Sequence, residues 1–203
     1  GTPCQSMTWC RAPQLRTAFW PKGVPGLSVS QQELVDVGNA LLEFSVRYCT
    51  ILYARGCYFS IENPELSWLW LQPSTLELYS LPGVAYVSLY YSSYGTPYMK
   101  PTLFLHNSPV LHRIRTPSGP LKFSSGVGVG RIVLRGMCWW EGERVFRTHL
   151  AQPYPPDLAE HFGRLTSEAL NFRSQALSEG MDVPMAPMCH DVGLPPKIGR
   201  AHV

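Results

Sequence analysis

Residues 30–64, SQQELVDVGNALLEFSVRYCTILYARGCYFSIENP, carry the two signals that decide the fold. Ser30-Gln31-Gln32-Glu33 fits a capping box, and Leu34, Val37, Leu41, Phe44, Tyr48, Ile51 and Leu52 follow at helical spacing until Gly56 offers a stop. Cys57-Tyr58-Phe59-Ser60-Ile61 is a short apolar run closed by Glu62-Asn63-Pro64, the pattern of a buried strand whose C-terminal tip carries polar residues. A long amphipathic helix leading into a buried strand predicts an α/β fold.

Upstream, residues 11–30 hold Pro13, Pro21, Gly23, Pro25 and Gly26 with little apolar period, which predicts a long loop. Downstream, Leu66 to Leu71 reads as a short helix stopped near Pro73, Val84 to Tyr91 as a second strand and Leu103-Phe104-Leu105 as a third. Residues 116–130, with Gly126, Gly128 and Gly130, read as a flexible loop. They lack the Lys-Ser/Thr ending and following helix of a phosphate-cradling turn. Arg131 to Arg135 and Val145-Phe146 flank Trp139-Trp140 and a Glu141-Gly142-Glu143 turn, a strand and hairpin. Leu158, Phe162, Leu165, Ala169, Phe172 and Ala176 mark a last amphipathic helix before Gly180.

The chain has 203 residues, 45% hydrophobic, enough to bury one sizeable core. Charged residues are 15%, below the usual value of about 25%, and no apolar run approaches the ~20 residues of a membrane helix. A net charge of +3 is too slight for electrostatics alone to argue for nucleic acid, so any such argument must come from a site. The six cysteines form no C-x-x-C pair and no signal peptide precedes them, so a reducing compartment, nuclear or cytoplasmic, is expected. His106, His112, His149, His161 and His190 have no metal-ligand spacing with the cysteines, and no metal is expected. The start at Gly1-Thr2-Pro3 reads as a truncated N-terminus. Ile198 to Val203 reads as a translated sequencing adapter, the alternative being an ordinary basic tail.

Gly1-Thr2-Pro3-Cys4-Gln5-Ser6 resembles the Pro-Cys motif of cytosine-5 DNA methyltransferases, G-P-P-C-Q followed by an aromatic and a serine. Gly1, Pro3, Cys4 and Gln5 match; Thr2, Met7 and Thr8 depart. In the same order, Glu62-Asn63-Pro64 resembles that family's Glu-Asn-Val motif, and Tyr94-Gly95-Thr96-Pro97 resembles its Y-G-V-P-Q-x-R-x-R segment. In that segment Tyr98, Lys100 and Thr102 stand at the glutamine and two arginine positions. Arg147-Thr148 through Tyr154-Pro155-Pro156-Asp157 is faintly similar to its late R-x-L-T…F-P-D segment. The ordered combination is also similar to methyltransferase-like segments of retroelement-type polyproteins.

The resemblance implies a partial Rossmann-like methyltransferase domain, a mixed sheet with a C-terminal helix. Residues 1–158 would form the catalytic-side part, 159–180 the amphipathic helix and 181–203 a disordered tail ending in the adapter-like 198–203. It implies DNA as partner, no membrane, and S-adenosylmethionine as the cofactor of the intact protein. The family's Gly-rich cofactor motif, expected upstream, is absent, so the isolated chain is expected to be inactive. Carbon 5 of cytosine becomes nucleophilic only after a thiolate adds at carbon 6, and Cys4 would be that thiolate. Addition pushes negative charge onto ring nitrogen 3 and the adjacent oxygen. Glu62 would hydrogen-bond or protonate the nitrogen and Lys100 would stabilise the oxygen. Pro3, Gln5, Asn63, Pro97 and Tyr98 would contact the substrate base, which must leave the duplex. Cys4 and Glu62 are then expected at the C-terminal ends of neighbouring parallel strands.

Each assignment has a plainer alternative. Cys4 would be a small buried hydrophobe, Glu62 a turn carboxylate before Pro64, and Lys100 a solvated surface lysine. Trp68, Trp70, Trp139 and Trp140 would stack on bases or, more in keeping with most tryptophans, pack in the core. The alternative function is a catalytically decayed domain that binds nucleic acid or packs within a mobile-element polyprotein, in line with the altered segment Tyr98 to Thr102.

Overall fold

The structure, a computed structural model, describes residues 6–8, 11–115 and 134–183. The expected loop over 116–130, the tail beyond 183, and Pro3, Cys4 and Gln5 lie outside the described residues.

Helix α1, Val29–Ala54, begins two residues earlier than Ser30 suggests. Ser28 is the N-cap, its hydroxyl accepting from the Gln31 amide while the Gln31 side chain returns to the Ser28 amide. Ser28 and Gln31 satisfy the same capping-box spacing as Ser30 and Glu33, and the chain uses the first. Gly56, at φ +61°, supplies the left-handed residue that ends the helix. The stripe read from sequence is not the buried one: Val35, Gly38, Leu42, Val46 and Cys49 face the core, while Val37, Leu41, Phe44, Tyr48 and Ile51 are exposed.

Strand β1, Ser60–Pro64, starts later and runs further than expected, so Glu62 and Asn63 lie within the strand and not at its tip. After a single turn at Trp68–Leu71 comes α2, Pro73–Tyr79. Pro73 does not stop a helix; it starts one, because proline at the first helical position forfeits an N–H that has no partner there anyway. Strands β2, Ala85–Tyr90, and β3, Pro101–His106, follow. The sheet order is β1-β3-β2, with β3 antiparallel to both neighbours. The adjacent described strands are therefore antiparallel, and β1 and β2 share a direction without touching; the strand expected to end at Cys4, parallel to β1, lies outside the described residues.

Side-chain alternation along these strands divides the core into two layers. Ile61, Tyr86, Leu103 and Leu105 join Leu42, Val46 and Cys49 of α1, Leu78 of α2, Trp70 and Met7 on one face. Val87, Leu89 and Phe104 face Leu158, Leu165 and Ala169 on the other. These last belong to α3, Pro156–Ser178, the expected C-terminal amphipathic helix, in which Phe172 alone of the six stripe residues is largely exposed. A separate hairpin of β4, Met137–Trp140, and β5, Glu143–Phe146, turns through Glu141 and Gly142. The molecule is thus mixed α/β with small antiparallel sheets and a C-terminal helix. Among the described residues no helix is long and apolar enough to cross a membrane.

Candidate functional site

Register fixes the site. Glu62 of β1 stands opposite Phe104 of β3, so its side chain emerges on the α3 face, and Lys100 just ahead of β3 emerges beside it. Glu62 Oε1 and Lys100 Nζ are 3.9 Å apart, both about one-fifth exposed. Two further residues, which sequence reading did not single out, hold the pair. The Tyr154 hydroxyl donates to Glu62 Oε2 at 3.0 Å. Lys100 Nζ donates to the Tyr91 hydroxyl at 3.2 Å and the Ala151 carbonyl at 3.1 Å, and sits 4.5 Å from the centre of the Tyr91 ring. Lys100 is therefore a held, half-buried cation and not a solvated one. Burial first, then the negative charge of Glu62, pushes the Tyr91 and Tyr154 phenols up from their ordinary range. Tyr154 carried a faint sequence signal, the segment Tyr154 to Asp157, whereas Tyr91 carried none beyond its place at a strand end.

Asn63, the next residue, points to the opposite face by strand alternation, in register with Leu103, and is buried. It does not share the Glu62 cluster. Tyr98 lies on the α3 side, its hydroxyl donating to the Leu150 carbonyl at 3.1 Å, with burial raising its phenol. Pro97 is exposed on the turn after Gly95, whose φ of +81° requires glycine.

Cys4 lies outside the described residues, but the chain just after it is anchored. Met7 is fully buried, its carbonyl accepts from the Trp68 amide at 2.8 Å, and Thr8 bridges Ser67. These contacts put Ser6 to Thr8 against the turn that leaves the C-terminal end of β1. The anchor is completed by Arg16, buried in the 11–30 loop. Its Nε donates to the Ser6 carbonyl at 3.0 Å, Nη2 to Ser6 Oγ at 3.1 Å and the Val35 carbonyl at 3.0 Å, and Nη1 to Asn39 Oδ1 at 2.7 Å. Burial lowers its pKa to about 10, against the pull of Asp36.

Residues of α1, β1 and α3 line a cleft of about 580 Å³, among them Phe44, Tyr48, Ile61, Glu62 and Phe162, together with Tyr154. Among its described lining residues Glu62 is the one charged side chain. Among the described residues no group of His, Cys, Asp and Glu is placed to hold a metal. No family model, curated protein or solved structure matches the chain.

Proposed function

We propose that the chain is the catalytic-side part of a DNA cytosine-5 methyltransferase-like protein, in which methyl transfer from S-adenosylmethionine to carbon 5 of cytosine runs through a Cys4 adduct. The observation that carries this reading is the Glu62–Lys100 pair. Residues of two motifs, far apart in sequence, meet at 3.9 Å through β1–β3 register, as a carboxyl group and an ammonium serving a ring nitrogen and its neighbouring oxygen require. The anchoring of Met7 beside the end of β1 supports it too, since the three residues back to Cys4 span about 10 Å when extended. The finer fold reading, a partial Rossmann-like domain, is supported by the mixed order of helices and strands and the C-terminal helix.

On the cytosine side, the Cys4 thiolate adds to carbon 6 and the ring electron pair moves toward carbon 5, nitrogen 3 and the oxygen. Glu62 serves nitrogen 3, and the Lys100 ammonium serves the oxygen. Once carbon 5 has accepted the methyl group that the donor would supply, a base removes the carbon 5 proton, the electron pair of that bond re-forms the 5,6 double bond, and the carbon 6–sulfur bond breaks to release the thiolate. No described residue is assigned to the methyl donor.

A second reading has its own support. Glu62 is already engaged by Tyr154, and Lys100 by Tyr91 and Ala151, so the pair is also what a structural ion pair in a decayed nucleic-acid-binding domain would be. Duplex DNA carrying 5-fluorocytosine separates the two, because fluorine at carbon 5 blocks the elimination. With the intact protein and S-adenosylmethionine, a covalent adduct abolished by Cys4→Ser and slowed at least a hundredfold by Glu62→Gln is expected. DNA binding without any adduct would leave only the second reading.

A further inference from the structure

The four tryptophans singled out in the sequence part company in the structure. Trp68 and Trp70 are buried, Trp70 completely, with its indole N–H donating to the Pro64 carbonyl at 2.8 Å. Trp139 and Trp140 are not: Trp139 is 74% exposed. In the β4–β5 hairpin Met137 stands opposite Phe146 and Trp139 opposite Arg144, so these four share one face of the ribbon. Phe146 is 66% exposed. The other face carries Cys138, Val145, Trp140 and the acidic Glu143.

A two-stranded ribbon has little core of its own, and leaving an indole and a phenyl ring in water on one face gives up several kcal/mol of possible burial. The same face has one guanidinium, Arg144, and no carboxylate, with exposed Arg135 leading into β4, while the acids lie in the turn and on the far face. Flat aromatic surfaces interleaved with positive charge match a polymer that presents π-faces joined by phosphates. Stacking needs no particular base, and arginine neutralises the backbone beside the stacked ring.

We infer that the Met137–Trp139–Arg144–Phe146 face of the hairpin binds single-stranded nucleic acid, Trp139 and Phe146 stacking on bases and Arg144 pairing with phosphate. This goes beyond the methyl-transfer reading and is independent of Cys4.

The test uses the whole chain, a fluorescein-labelled twelve-nucleotide oligothymidylate, and the matching duplex. Binding at low micromolar concentration in dilute salt, with quenching of tryptophan emission, is expected, and the duplex should bind more weakly. Trp139→Ala should weaken binding about tenfold. Arg144→Ala should make the slope of log affinity against log salt shallower by about 0.7. Cys4→Ser should leave binding unchanged, so failure of the methyl-transfer reading and failure of this one are told apart. The side chains are exposed, so melting temperatures should stay put; if Trp139→Ala unfolds the chain, Trp139→Phe, which keeps a stacking ring, should retain most of the affinity. Absence of binding at 50 µM, equal loss in Trp140→Ala alone, or a Trp139-dependent dimer in sedimentation with no oligonucleotide bound would each overturn the inference.

Discussion

At the scale of single residues, the ionisable groups that packing has displaced give the sharpest expectations. His106, at the end of β3, is completely buried, and burial together with nearby His112 lowers its pKa to about 4 against the pull of a backbone hydrogen bond at Ser108. The unfolded chain takes up this proton below about 6.5 and the folded chain does so only near 4. Stability is therefore lost as pH falls through that window, by about 3 kcal/mol. His106→Leu should flatten the acid limb of the stability curve measured by urea unfolding between pH 7 and 4. An unchanged limb would mean that the ring finds a proton acceptor in the folded state. The opposite sign holds for Tyr91 and Tyr154, whose raised values contribute stability below about pH 10 that is lost as pH climbs through the folded values. Glu62 is one cause of both shifts, so absorbance titration of Glu62→Gln should show tyrosine ionisation beginning at lower pH than in the parent. The charged pair of this site was legible because Glu62 and Lys100 sit in motif-like segments. Tyr91 was not, since a tyrosine ending a strand carries no mark of the lysine that packs on its ring.

At the scale of elements, α1 shows what periodicity can and cannot decide. Apolar residues recur at helical spacing on two stripes, and the spacing alone gives the period without saying which stripe meets the sheet. Gly38 settles it in three dimensions. A Cβ there would fall 2.2 Å from Ser6 Oγ and 3.2 Å from Arg16 Nη2, so this glycine lets the segment after Cys4 lie directly on the helix. Alanine in a helix interior normally gains up to about 1 kcal/mol over glycine. Gly38→Ala should instead destabilise by about 1–2 kcal/mol in urea unfolding, because the Ser6–Arg16 hydrogen bonds must be displaced. A net gain would show that the 6–8 segment moves aside freely. Strand sense was hidden for a related reason: alternation marks a strand but not its direction, and β3 inserts between β1 and β2 only because the turn at residues 91–100 reverses the chain. Pro73 misled because proline opens helices as well as ending them, and only the capping geometry of Gln72 distinguishes the two.

At the scale of the whole molecule, an apolar stripe of α1 lies near the outer strand β1 of the described sheet and exposes Val37, Leu41, Phe44, Tyr48 and Ile51. Phe44 and Tyr48 are 68% and 56% exposed and stack on each other with ring centres 6.3 Å apart. A contiguous apolar stripe gains by leaving water, so it favours association of the isolated chain. Sedimentation velocity should show the weight-average mass rising with concentration over the micromolar range. Because Phe44 and Tyr48 are mostly in water already, replacing both with serine removes association energy while costing the fold little, less than about 1 kcal/mol. The double variant should therefore sediment as a monomer with an unchanged melting temperature. A parent chain that stays monomeric at 100 µM would show that the stripe is covered within the molecule, and a variant that melts early would show that the stripe belongs to the core after all.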